Sequence, residues 1–177
     1  MQRRKLVKYL AIGGPVAAIG GGYLWLSADR AHPQLSLSAT LQKLERLASG
    51  PIIKSGTWNP YQVFHHCAQS VEFSMTGFPE SESALFQNTA GAVAFSVFSA
   101  RGEMSHNLAE VIPGAPAIAV EGDNQVALQR LMTGLTSFEA YDGPLKPHFA
   151  FGNLSKSDYA LAHVLHINNH LQEFSVG

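Results

Sequence analysis

The stretch "HINNH" near the end of the chain places His166 and His170 four residues apart. On an α-helix that spacing is about one turn along one face. Both rings can then aim a nitrogen at a single point about 2.0–2.1 Å from each, the geometry in which imidazole binds a divalent ion. His163, Tyr159, Ala162 and Glu173 fall on the same stripe, roughly 100° wide. Alone the pair is weak, because eight histidines in 177 residues will sometimes fall at this spacing, and a solvated polar face is the plainer reading. A metal needs a further ligand, and "FHHCAQS" offers His65 and His66, which point about 100° apart on a helix. His65 groups with Gln69, Glu72 and Thr76 on a polar face. His66 shares a side with Ser70 and Phe73 at the edge of the apolar stripe, so it is the one able to face a neighbouring helix.

The periodicity that must position these residues is mostly helical, so the expected fold is all-α. A first helix starts near Ser38, carries Leu41, Leu44 and Leu47 on one face, and stops at Gly50-Pro51. A second runs from about Pro60 to Gly77, with Asn59 as N-cap and Pro60 at the first helical position. Its core stripe is Val63, Phe64, Cys67, Val71, Met75 and Phe78. Residues 83–101 read as a buried helix, followed by a connection punctuated by Pro and Gly. Asp123 caps a helix through Phe138 with Val126, Leu128, Leu131, Leu135 and Phe138 as its apolar set. The last helix opens on a capping box, Ser155-x-x-Asp158, and carries the histidine stripe.

The first thirty residues are unlike the rest. Arg3, Arg4, Lys5 and Lys8 precede an uncharged run from Tyr9 through Ser27, the layout of a targeting segment. The order Arg3-Arg4-Lys5-Leu6-Val7-Lys8 looks like a twin-arginine export signal. A plain membrane anchor is the alternative, since such a run spans roughly 28 Å as a helix, although its glycines and Pro15 make a poor transmembrane helix. No small-x-small cleavage site follows, so an uncleaved anchor through residues 9–27 stays open. The expected organisation is a signal or anchor over 1–30 and one helical domain over 31–177, either periplasmic or held in the cytoplasmic membrane facing outward.

Residues 31–177 carry seven basic and twelve acidic side chains, a net charge of −5. A nucleic-acid partner is therefore not expected, for want of a basic patch. Cys67 is the only cysteine, which forbids an internal disulfide. Its apolar helical setting suits a packing residue better than a nucleophile. His148, in "KPHFAFGN", reads as a loop histidine bonded to backbone, and His32 and His106 show no pattern.

Taken together, "WNPYQVFHHCAQSVEFSMTGFP", "HFAFGNLS" and "HINNHLQEF" resemble the DinB/YfiT-like superfamily of bundle proteins, and most closely a branch described only as a domain of unknown function. The resemblance covers roughly residues 35–175. It implies a four-helix bundle with an additional middle helix, in which a histidine eight residues after a tryptophan joins an HxxxH pair to bind a divalent metal. Trp58 plus eight is His66, so the implied ligands are His66, His166 and His170. His163, Glu173, Tyr159 and Ser70 become candidates for the surrounding shell. Asn169 and Gln172 depart from a nearby form of the family's last block, which has histidine and arginine there.

Three neutral imidazoles leave positions open for water or substrate, and the ion they hold is zinc, nickel or iron, which ligand type alone does not separate. Characterised relatives in the wider superfamily include thiol-dependent transferases and isomerases, so the resemblance implies metal-dependent chemistry such as group transfer or hydrolysis on a small molecule. The competing class is a non-enzymatic module whose metal is structural or whose surface binds a partner. A homodimer is also left open.

Overall fold

The computed structural model describes residues 34–54 and 56–176. The expected signal or anchor over 1–30 and His32 lie outside the described residues. In chain order the elements are α1 (Leu37–Ala48), β1 (Ile52–Lys54), α2 (Pro60–Thr76), α3 (Ala84–Phe86), a π-helical turn (Gln87–Gly91), α4 (Ala92–Arg101), α5 (Asn124–Ala140), α6 (Lys156–Leu171) and β2 (Phe174–Val176). No helix among the described residues is long and apolar enough to cross a membrane.

The helix starts follow their capping side chains. Ser36 accepts from the Ala39 N–H, two positions before the expected start. Asn59 forms a complete capping box: its Oδ1 accepts from the Gln62 N–H at 2.9 Å and the Gln62 side chain accepts from the Asn59 N–H. This reciprocal pair satisfies two backbone donors that the first turn leaves free. Asp123 accepts from the N–H groups of Gln125 and Val126. At α6 the Ser155 Oγ accepts from the Asp158 N–H, and the Ser155 hydroxyl also donates to the Asp158 carboxylate at 2.8 Å.

Four helices share one apolar core. Leu44 and Leu47 enter it from α1, Val63, Phe64, Cys67, Ala68 and Val71 from α2, Leu128, Leu131, Leu135 and Phe138 from α5, and Tyr159 and Ile167 from α6. Gly134 on α5 faces α2, where an added methyl would make only ordinary contact with Val71 Cγ1 at 3.7 Å. Lys43 Nζ donates to Asn168 Oδ1 at 2.8 Å and ties α1 to α6. Burial pushes the Cys67 thiol pKa up, as its packing role requires.

Three expectations change. The chain is mostly helical but not all-α: β1 and β2 pair antiparallel, with Ile52 opposite Val176 and Lys54 opposite Phe174. Strands of three residues are too short to show a two-residue period in sequence. The segment 83–101 is helical but not buried. It is interrupted by the π-helical turn, and it buries Gly91, Phe95 and Ser99 while exposing Leu85, Val93 and Val97. Val126, assigned to the apolar face of α5, is 62% exposed, and Ala127 and Gly134 are buried instead.

The π-helical turn meets the loop before α6. Gln87 Nε2 donates to the carbonyls of His148 and Phe149, and Phe95 packs on Phe151 at 5.4 Å. A methyl group at Gly91 would run into the backbone carbonyl of Ala150. Gly91→Ala is therefore expected to cost about 1–3 kcal/mol through overpacking, read as a lower urea midpoint. An unchanged midpoint would contradict this close approach.

Candidate metal centre

The histidine stripe of α6 is not a solvated face. Tyr159, Ala162, His163 and His170 are buried, and Val164, Leu165 and Ile167 bury the flanks. His66 on α2 is 3% exposed and His170 is 0% exposed. An imidazole removed from water loses most of its hydration, so its neutral form is favoured and its lone pair needs a partner.

Three rings turn those lone pairs towards one another. His66 Nε2 lies 3.1 Å from His166 Nε2, which lies 3.2 Å from His170 Nε2. A tetrahedral ion with bonds of about 2.0–2.1 Å separates its ligand nitrogens by roughly 3.3–3.4 Å. The observed spacing is within a few tenths of an ångström of that value. A fourth ring, His106, lies in the connection between α4 and α5, with its centroid 5.1 Å from those of both His166 and His170. One ring nitrogen from each of the four histidines lies within 4.8 Å of the others. The four could therefore hold a metal ion.

Hydrogen bonding among the rings leaves this group incompletely satisfied. His166 Nε2 can accept from both neighbours, yet His66 Nδ1, His170 Nδ1 and both nitrogens of His106 are buried without a hydrogen-bond partner. Each buried unsatisfied group costs on the order of 1–3 kcal/mol. A divalent ion would take the three converging Nε2 lone pairs and one nitrogen of His106, so the donor set fits a metal, while the Nδ1 atoms of His66 and His170 lie outside that set.

The electrostatics agree. Burial lowers the His66 pKa to about 3, with His106 adding to the effect, and that of His170 to about 2, with His66 and His106 contributing. His166 is held well below its ordinary range by burial and by the surrounding rings. For His106 burial also dominates, partly offset by Asn169 and Glu110. Burial thus favours the neutral form of all four rings, the form able to bind a metal.

Trp58 covers part of the cluster, edge-on to His66 at 5.1 Å and stacked over His170 at 6.3 Å. The outer shell of these two histidines is thus aromatic. Metal-bound histidines commonly donate their second nitrogen to a carboxylate or carbonyl, which raises their basicity. Rings without that support are weaker donors and leave an ion more Lewis-acidic.

The other histidines are engaged elsewhere. His65 Nδ1 lies 2.6 Å from Arg130 Nη1, and Arg130 also grips Glu72 through two nitrogens, at 2.8 and 2.6 Å. His148 Nδ1 accepts from the N–H groups of Ala150 and Phe151, as a loop histidine bonded to backbone should. His163 does not join the cluster. The Ser74 hydroxyl donates to the Val71 carbonyl, so its oxygen accepts from His163 Nε2–H at 3.2 Å.

Three further shell candidates lie on or next to the same two helices. The Tyr159 hydroxyl donates to the Lys146 carbonyl at 2.6 Å. Ser70 is buried one turn beyond His66. Glu173 follows the end of α6, with its carboxylate against Gly56. His106 is the residue that sequence reasoning missed. It lies outside any helix or strand, so no periodicity marks its direction, and only the path of the connection brings it to α6.

The chain belongs to the family described as Protein of unknown function (DUF1569), whose pattern matches residues 31–176. Comparison with curated proteins finds no match, and comparison with solved structures finds none.

His148 and His163 also predict an acid response independent of metal. Burial lowers both from 6.5 to about 3, so between those values the unfolded chain binds more protons than the folded one. Their contribution is complete above pH 6.5 and lost as pH falls towards 3. With chelator present, the urea midpoint should fall steadily from pH 6.5 to 4. A flat midpoint across that window would contradict neutral burial of these two rings.

Proposed function

From that family membership and the convergence of rings from α2 and α6, we propose that this chain is a DinB-like metalloprotein. In this reading His66, His166 and His170 hold a divalent ion. The observation that carries it is the pair of Nε2 separations, 3.1 and 3.2 Å, between side chains a hundred residues apart and one helical turn apart. The proposed architecture is a four-helix bundle of α1, α2, α5 and α6, supported by their common core, with α4 as the additional helix. Export or membrane attachment is part of the same proposal and rests on the sequence of residues 1–30.

The ion would supply Lewis acidity that activates water or a thiol for attack on a small molecule. The chain's own contribution is positional. The helical backbones of α2 and α6 fix three imidazoles, burial keeps them neutral, and Trp58 limits water on one part of the cluster. A general base is not assigned to His163, whose Nε2–H is directed to Ser74.

A second reading is favoured by one observation. His106 brings a fourth imidazole within reach, and four protein ligands are the usual mark of a structural zinc site. In that reading the ion fastens α2, α6 and the α4–α5 connection together, and the domain acts by binding a partner.

Both readings require the ion. The full chain, purified without a histidine tag, is expected to hold about one divalent ion by elemental analysis. His66→Ala, His166→Ala and His170→Ala should each lose it while keeping the helical circular dichroism of the parent. A folded parent that takes up no zinc, nickel or iron on incubation would overturn the proposal.

A further inference from the structure

The three helical histidines and His106 are held in different ways. His66, His166 and His170 sit on long helices, where successive backbone hydrogen bonds fix them. His106 lies in the irregular connection between α4 and α5, just past Gly102, whose left-handed backbone (φ 68°) ends α4. The connection is anchored by the buried side chains of Met104 and Ile112. Two clips tie it to α2, the helix that carries His66: Gln69 Nε2 donates to the Pro116 carbonyl at 3.0 Å, and Asn59 Nδ2 donates to the Val120 carbonyl. These contacts hold the connection against the histidine cluster.

Within that strap the His106 ring is half-buried, but both of its nitrogens are shielded from water, and its one polar side-chain neighbour, Asn169, does not bond either nitrogen with ordinary hydrogen-bond geometry. A loop imidazole is not usually placed like this, because turning outward would let water satisfy both nitrogens. Its ring instead packs against His166 and His170. A site with three helical ligands has room for one more donor in a tetrahedral shell, and His106 occupies that side of the cluster.

We infer that His106 is a displaceable fourth ligand: it closes the metal's coordination at rest, and an external anionic or thiolate donor reaches the ion only when the 102–123 strap carries His106 away. The inference rests on the metal-centre reading above. It reconciles the two functional readings, since a closed four-imidazole shell and an open three-imidazole shell are then two positions of one strap. Apparent affinity for an external donor is reduced by the fraction of molecules in the open position.

Cobalt(II) loading of the full chain tests this, with azide as the external donor. In the parent, proton NMR of the cobalt form should show shifted ring resonances from four coordinated imidazoles, and three sets would overturn the inference without any variant. His106→Ala should still bind about one cobalt ion and bind azide at least about tenfold more tightly than the parent, read from the visible absorption bands. Added imidazole should restore the parent spectrum. Equal azide affinities and identical spectra in parent and variant would show that His106 is not a ligand. Failure of the parent to bind cobalt would instead remove the metal-centre reading itself.

Discussion

Four imidazoles packed against one another, two buried and two half-buried, are the constraint on which the rest of this structure depends. A buried ring cannot carry charge cheaply, and it cannot leave its lone pair unused without a cost of about 1–3 kcal/mol. Burial and mutual proximity keep the rings neutral, which removes the first cost and leaves the second. A divalent ion where the Nε2 atoms of His66, His166 and His170 meet would use those lone pairs together with one from His106. Much of the surrounding architecture holds α2 against α6: the Asn59–Gln62 box starts α2 two turns before His66, and α1, α2, α5 and α6 share one apolar core.

The helices were legible because their signals are local. Asn59-Pro60, Asp123 and Ser155 mark starts through side-chain oxygens that bond within three residues, and Gly77 and Gly50-Pro51 mark ends. The choice between His65 and His66 was legible for the same reason, because a helical wheel sends adjacent residues to different faces. His65 does go to Arg130 and Glu72, while His66 goes to the cluster. The stripe on α6 was harder to read, since a polar face and a buried histidine cluster have the same period. Burial decides between them, and burial depends on what packs opposite.

What was not legible is tertiary. His106 has no neighbouring pattern, and its position follows from the clips between its connection and α2. His163 has the right helical angle but a different partner: one turn before His166 along α6, it meets Ser74 on α2. The outward face of 83–101 escaped because Ala, Val and Phe read as buried by composition, whereas Gly91 allows only one edge of that segment to press on the loop at Ala150. The two short strands escaped because their pairing joins residues more than a hundred positions apart.

The proposed centre places one ion among the four rings. Crystals of the metal-loaded full chain, measured at the absorption edge of the bound metal, test it most directly through an anomalous difference map. One strong peak is expected at bonding distance from Nε2 of His66, His166 and His170, with a His106 nitrogen completing the shell. A peak elsewhere, or density showing the four rings joined only by hydrogen bonds after metal loading, would contradict it.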